Sequence, residues 1–280
     1  MSGTPPRRIW LCADDYGISP AVDRGIRDLI GRGRLNATSV MVNAPAFDQA
    51  EANALASLKA SDARPSIGLH VTLTAPFKPL TSAFTALHGG AFLTLSNVLA
   101  MAVARRLDRE ALTREIGAQL LAFATRFGRM PDYVDGHQHV QLFPQIRDAF
   151  LRAVAEHAPN AWVRQCGRVS GQPRRLGDRK GLLLDILSVG FRRKARRLGL
   201  RCNPAFAGTY SFAPDADYPR LFPAFLDGLP DGGLVMCHPG FVDAELERLD
   251  PLTVQREREF AYFAGDDFSR LLADRGVTLA

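Results

Sequence analysis

Cysteine is scarce: four residues in 280, at positions 12, 166, 202 and 237, with no C-x-x-C pair and no spacing that builds a disulfide framework or a zinc knuckle. Cys12 and Cys237 sit in apolar, strand-like runs, where a free thiol behaves as a small hydrophobe, so a reducing compartment is expected. The longest apolar run, residues 181–191, is broken by Asp185 and falls short of a membrane span. Residues 1–8 are short and polar with Pro5 and Pro6, from which we expect no signal peptide and a cytoplasmic location. No G-x-x-x-x-G-K-[ST] phosphate loop and no repeat with a period of roughly 20–50 residues is present.

What is present reads as one domain spanning 1–280. Apolar residues make up 46% and charged residues 23%, ordinary for a globular chain. At this length a chain buries about three quarters of its unfolded surface and needs no covalent staples. The net charge of +6 suits an anionic partner such as nucleic acid, phospholipid or an acidic glycan, and the plainer expectation is a mildly basic protein with no such partner; the Lys/Arg excess is local.

Short apolar runs alternate with longer amphipathic ones, the pattern of a parallel sheet with helical crossovers. Residues 8–13 read as a strand ending in Asp14-Asp15-Tyr16-Gly17, followed by Ser19 as N-cap and Pro20 at the first helical position. Ala21, Val22, Ile26, Leu29 and Ile30 form a stripe at helical spacing. Further strands are expected at 38–43, 66–73, 132–137, 161–165 and 233–237, with helices at 47–59, from Asp108 to Gly128, at 144–157 and at 253–274. Residues 74–107 read as a long connection that is irregular at its start.

The chemistry-bearing residues fall where these strands end. Asp14 and Asp15 follow the first, His70 lies in the third, His137 and His139 follow the fourth, and His238 follows the late one. In a (β/α) barrel those ends share one rim, where active sites form. Two histidines and a carboxylate are a common metal-ligand set that leaves a position open for water. Adjacent carboxylates suit a division in which one holds the ion and the other takes a proton from the attacking water. On an extended strand Asp135, His137 and His139 share a face, and spacing alone leaves open which histidine is the ligand. His238, in M-C-H-P-G, is suited to protonate a leaving group near neutral pH. Taken singly, each motif also has a duller use, as a helix cap, a core histidine or a turn.

Together, A-D-D-Y-G, I-G-L-H-V-T-L, Y-V-D-G-H-Q-H-V and V-M-C-H-P-G occur in the order seen in YdjC-like, ChbG-type carbohydrate deacetylases, a resemblance running from about residue 8 to residue 275. It implies an α/β fold, a TIM-like barrel that is distorted or seven-stranded, and metal-dependent removal of the acetyl group from an N-acetylated amino sugar, with magnesium or zinc as the ion. By motif, Asp15, His70 and His137 correspond to metal ligands, Asp14 to the catalytic base and His238 to the acid. His139 is expected to support a ligand or contact substrate. Arg164 in W-V-R-Q and Tyr210 in G-T-Y-S-F are candidates to contact the sugar, whereas Phe212 is expected in the core. Tyr16 stands where phenylalanine is common in the family.

Residues 168–201 do not match the family pattern. They carry eleven Lys and Arg residues against Asp178 and Asp185. The expected partners are the acetylated sugar and no nucleic acid, with contact to an anionic membrane surface through 168–201 and a homodimer left open. The plainer expectation for 168–201 is a crossover helix packing its leucines on the barrel. The rival functions are a metal-dependent phosphoesterase on the same rim and a non-catalytic barrel that binds anionic surfaces.

Overall fold

The first strand is apolar on both sides, as a strand covered on both faces must be. Ile9, Leu11, Cys12 and Ala13 are all buried along β1 (Arg7–Tyr16). The computed structural model describes residues 5–58, 64–82, 84, 87–169 and 179–279. In α1 (Pro20–Gly31) Ser19 Oγ accepts from the Val22 N–H at 3.3 Å and Pro20 opens the helix, as the sequence predicts. The chain continues through β2 (Ala37–Val40), α2 (Gln49–Ala56) and β3 (Ser66–Val71). The connection at 74–107 holds a hairpin, β4 (Leu87–His88) with β5 (Ala91–Phe92), and α3 (Leu95–Val103).

Next come α4 (Arg109–Phe127), capped by Asp108 and closed by the left-handed Gly128, then β6 (Tyr133–Gly136), a 3-10 segment (His137–Leu142), α5 (Ile146–His157) and β7 (Trp162–Val163). The second half contains α6 (Arg179–Arg197), β8 (Phe206–Ala207), α7 (Tyr218–Phe225), β9 (Leu234–Cys237), α8 (Ala244–Leu249), α9 (Val254–Ala264), α10 (Asp266–Asp274) and β10 (Val277–Leu279). The single tail helix expected at 253–274 is thus two helices, α9 and α10, meeting at Gly265, whose extended backbone ends one and begins the other.

Seven parallel strands lie in the order β7-β6-β3-β2-β1-β9-β8, and β10 adds to the start of β1. The sheet curls until its end strands approach. The seam between them is thin: a bridge pairs Val163 with Cys202, and the Phe206 N–H donates to Gly167 O at 3.1 Å. Asn203 supplies the missing ladder with its side chain, accepting from the Gln165 N–H at 2.9 Å and donating to Gln165 O at 3.1 Å. The fold is therefore the expected α/β barrel in its distorted, seven-stranded form.

Candidate metal and acid–base site

The site begins with an irregularity in β1. Pairing with β2 shifts register between Ala13 and Tyr16, and Asp15 takes a left-handed φ of 70°. In a regular strand neighbouring side chains face opposite ways. The bulge lets Asp14 and Asp15 both belong to the barrel mouth, where both are buried.

Three donors converge, with Asp15 at their centre. His137 Nδ1 lies 2.9 Å from Asp15 Oδ1 and His70 Nε2 lies 3.3 Å from the same atom. His70 Nδ1 is 2.6 Å from Asp135 Oδ1, which fixes the ring with Nε2 toward the cluster. An ion bound at about 2.0–2.2 Å to each donor, with angles between octahedral and tetrahedral, would hold neighbouring donors about 2.8–3.6 Å apart, a window that contains both spacings on Asp15. The donor set, one carboxylate and two imidazoles braced from behind by Asp135, therefore fits a divalent ion. A second cluster, Cys12, Asp14 and Asp135, does not. Its cation is already supplied by Arg164, whose Nη1 stands 2.6 Å from Asp14 Oδ1 and 2.9 Å from Asp135 Oδ2.

The expectation that Asp135, His137 and His139 share a strand face needs correction. The strand stops at Gly136, and Gln138 and His139 adopt left-handed φ of 55° and 62°. His137 is thereby aimed at Asp15, while His139 turns to Cys166, with Nδ1 3.6 Å from Sγ, and rests edge-on against Phe206. His139 does not join the cluster. Arg164 needs correction too. It has no exposed surface, and its Nη1 and Nη2 both grip Asp14, the latter at 2.8 Å from Oδ2, so it positions that carboxylate instead of meeting a sugar.

Electrostatics follow from these contacts. Burial pushes the Asp14 carboxyl up, but Arg164 and His70 outweigh it and leave the group well below the ordinary carboxylate value. Asp15 is likewise held low against burial by His137 and Arg256. His70 loses basicity to burial yet gains more from Asp135 and Asp14, ending near a pKa of about 10. His238 goes the other way: burial, with Arg256 nearby, overcomes the attraction of Asp15 and brings it down to about 4.

His238 Nε2 lies 4.0 Å from Asp15 Oδ2, and with 14% of its side chain exposed it is among the site groups nearest solvent. Its loop is set by a close approach: a Cβ on Gly25 of α1 would meet Gly240 Cα at 2.9 Å, so only glycine lets the H-P-G turn sit this tightly on the helix. Its backbone N–H donates to Glu259 Oε2 at 2.5 Å, and Phe212 packs edge-on against the ring. Tyr210 donates its hydroxyl to Glu259 Oε1 at 2.6 Å. Burial raises the Glu259 carboxyl to about 7.

Sequence reasoning missed Arg256 and Glu259, both fully buried on α9. Their one signal was the i, i+3 spacing of polar residues on a helix whose neighbours Phe260 and Phe263 already account for part of its packing face. Phe77 was missed as well. Its ring stands edge-on to His137 at 5.7 Å. The segment before and after it is pinned to α4, where Gln119 accepts from the Thr72 N–H and Glu115 accepts from the Leu80 and Thr81 N–H groups.

A (β/α) barrel with a buried carboxylate–histidine cluster at the carboxyl ends of its strands defines the class. Within that class the chain belongs to the YdjC-like family, whose family model, YdjC-like protein, matches residues 8–274. The chitooligosaccharide deacetylase of Citrobacter koseri is 29% identical over 282 residues, covering 98% of this chain and 97% of that protein. The crystal structure of an Enterococcus faecalis V583 protein described as acting in cellobiose-phosphate cleavage superposes with a TM-score of 0.72 at 21% identity, over 98% of this chain and 97% of that one. The lactam utilization protein of Thermus thermophilus does so at 0.51 and 14%, over 97% of this chain and 98% of that one. Both likenesses concern the fold.

Proposed function

We propose that this protein is a metal-dependent hydrolase that removes the acetyl group from an N-acetylated amino sugar. The observation that carries the reading is the convergence of Asp15, His70 and His137 beside a carboxylate, Asp14, that Arg164 keeps ionised. The likeness to a chitooligosaccharide deacetylase over nearly the whole chain supports the substrate class.

Asp15 Oδ1, His70 Nε2 and His137 Nδ1 would hold the divalent ion, magnesium or zinc, which when bound polarises the acetamide carbonyl and the attacking water. Asp14 accepts a proton from that water as the C–O bond forms. Arg164 keeps the carboxylate in place and charged through two parallel hydrogen bonds. As the C–N bond breaks, the nitrogen takes a proton at His238 Nε2, leaving acetate and a free amine. His238 rests neutral at pH 7, so the proton that Asp14 takes from the water passes to His238 before the C–N bond breaks, and its delivery to the nitrogen returns both groups to their starting state. Tyr210, next to Phe212 at the same edge of the mouth, is the aromatic side chain we assign to the sugar. His139 supports the turn that carries His137.

The test is a screen for acetate release across N-acetylated sugars, run with and without chelator. Chelator-sensitive acetate release is expected. Phosphate release from sugar phosphates in its place, or metal binding with no hydrolysis, would overturn the reading.

A further inference from the structure

α6 packs one face on the barrel through Leu184, Phe191 and Ala195, all buried. A surface helix with its apolar stripe thus used should carry polar residues opposite. Here it does not. Leu182, Leu183, Ile186 and Val189 are 42%, 41%, 62% and 50% exposed, and their spacing keeps them on one side. The same side continues into Arg193, Arg196 and Arg197, all exposed and none in an ion pair among the described residues.

The acid of the helix, Asp185, is consumed by Arg168, whose Nη2 lies 2.8 Å from Oδ2 and whose N–H donates to Oδ1 at 2.9 Å. Lys194 is paired with Asp148 at 2.5 Å. The charge left free on the outer face of α6 is therefore all positive. Of the basic segment, Arg174 and Arg175 lie outside the described residues.

We propose that the outer face of α6 seats the protein on an anionic lipid surface. The aliphatic side chains enter the boundary between headgroups and acyl chains while the arginines meet lipid phosphates. A second copy of the chain is the poorer occupant, because apposing two such faces brings like charges together. No helix among the described residues is long and apolar enough to cross a membrane, so the attachment is peripheral. The inference concerns a surface separate from the barrel mouth and holds whichever reaction the mouth performs.

Co-sedimentation of the full chain with vesicles tests it. Binding is expected to vesicles of mixed phosphatidylglycerol and phosphatidylcholine, to weaken as salt is raised, and to be absent with phosphatidylcholine alone. Ile186→Glu with Val189→Glu, and separately Arg193→Glu with Arg197→Glu, should each weaken it at least about tenfold while the melting temperature stays unchanged. Loss of folding in either variant leaves the lipid and salt dependence of the unsubstituted protein to decide. No binding at low salt, equal binding to neutral vesicles, or binding unaffected by both folded variants would overturn the proposal. So would sedimentation velocity showing a dimer that these substitutions dissociate, which would make the face a contact between copies.

Discussion

Arg256 Nη2 stands 2.7 Å from Asp15 Oδ2, tying a helix near the end of the chain to the bulge of the first strand. The same nitrogen donates to Asp250 Oδ2 at 2.8 Å, and Nε donates to Leu252 O at 2.9 Å. Arg256 and Asp15 are both out of water, and the contact occupies one carboxylate oxygen while leaving Oδ1 to the histidines.

Removing the cation strands a buried carboxylate, a loss of about 3–5 kcal/mol for pairs of this kind. Arg256→Met, which fills similar volume without charge, should lower the free energy of unfolding in urea by that amount. A loss under about 1 kcal/mol, the scale of a solvent-exposed pair, would show that the contact is not a structural tie.

The three proposed ligands, Asp15, His70 and His137, are expected to act as a unit, and His238 apart from them. His70→Ala and His137→Ala should each purify without stoichiometric metal and release no measurable acetate. His238→Ala should keep its metal and lose most turnover, about 100-fold or more for a group that manages a proton. Metal content by plasma emission read beside acetate release separates the two patterns. Full activity in any of the three would remove that residue from the proposed mechanism.

Asp135 is not one of the three donors, yet it aims His70 and shares Arg164 with Asp14. Partners placed behind a ligand histidine typically contribute about 10–100-fold to metal affinity. Asp135→Asn should weaken the ion by that factor in a chelator competition while far-ultraviolet dichroism stays unchanged. Unaltered affinity would mean that the backbone, not Asp135, sets the ring.

Much of this site was legible in the sequence because its parts sit at strand ends, and strand ends are marked by local signals. Ser19-Pro20 after Asp14-Asp15 announces a strand closing and a helix opening, and His70 and His238 follow apolar runs that read as buried strands. The turn of His139 was not legible. Gln138 and His139 hold left-handed conformations that no side-chain pattern requires, so the run through His137 reads as continued strand. α3 was hidden by Gly89-Gly90 and two prolines, whose breaker signal masks the helical stretch after them. The helix at 253–274 was legible but the burial of Arg256 in it was not, since the acids that pair with that arginine lie far away at position 15 and just before the helix at 250. The two-residue strand β8 is shorter than any periodicity, and Pro223 inside α7 argues against the helix that forms there.

Asp23, on the buried side of α1, gives a pH signature independent of the reaction. Its Oδ1 accepts the Gly17 N–H at 2.6 Å, two residues beyond Asp15, while Oδ2 is buried without a partner among the described residues. Burial raises its carboxyl from 3.8 to about 8, against the opposing pull of the Gly17 N–H and Arg27. The folded chain then keeps a proton that the unfolded chain has released, so stability falls as pH rises between those two values. The contribution is complete below the lower value and gone above the upper one. Asp23→Asn retains an acceptor for Gly17 and cannot ionise. It should therefore flatten the decline of the denaturation midpoint between pH of about 5 and about 8 that the unsubstituted protein shows. Equal slopes in the two proteins would mean that Asp23 is ionised in the fold at neutral pH, its charge carried by Gly17 and Arg27.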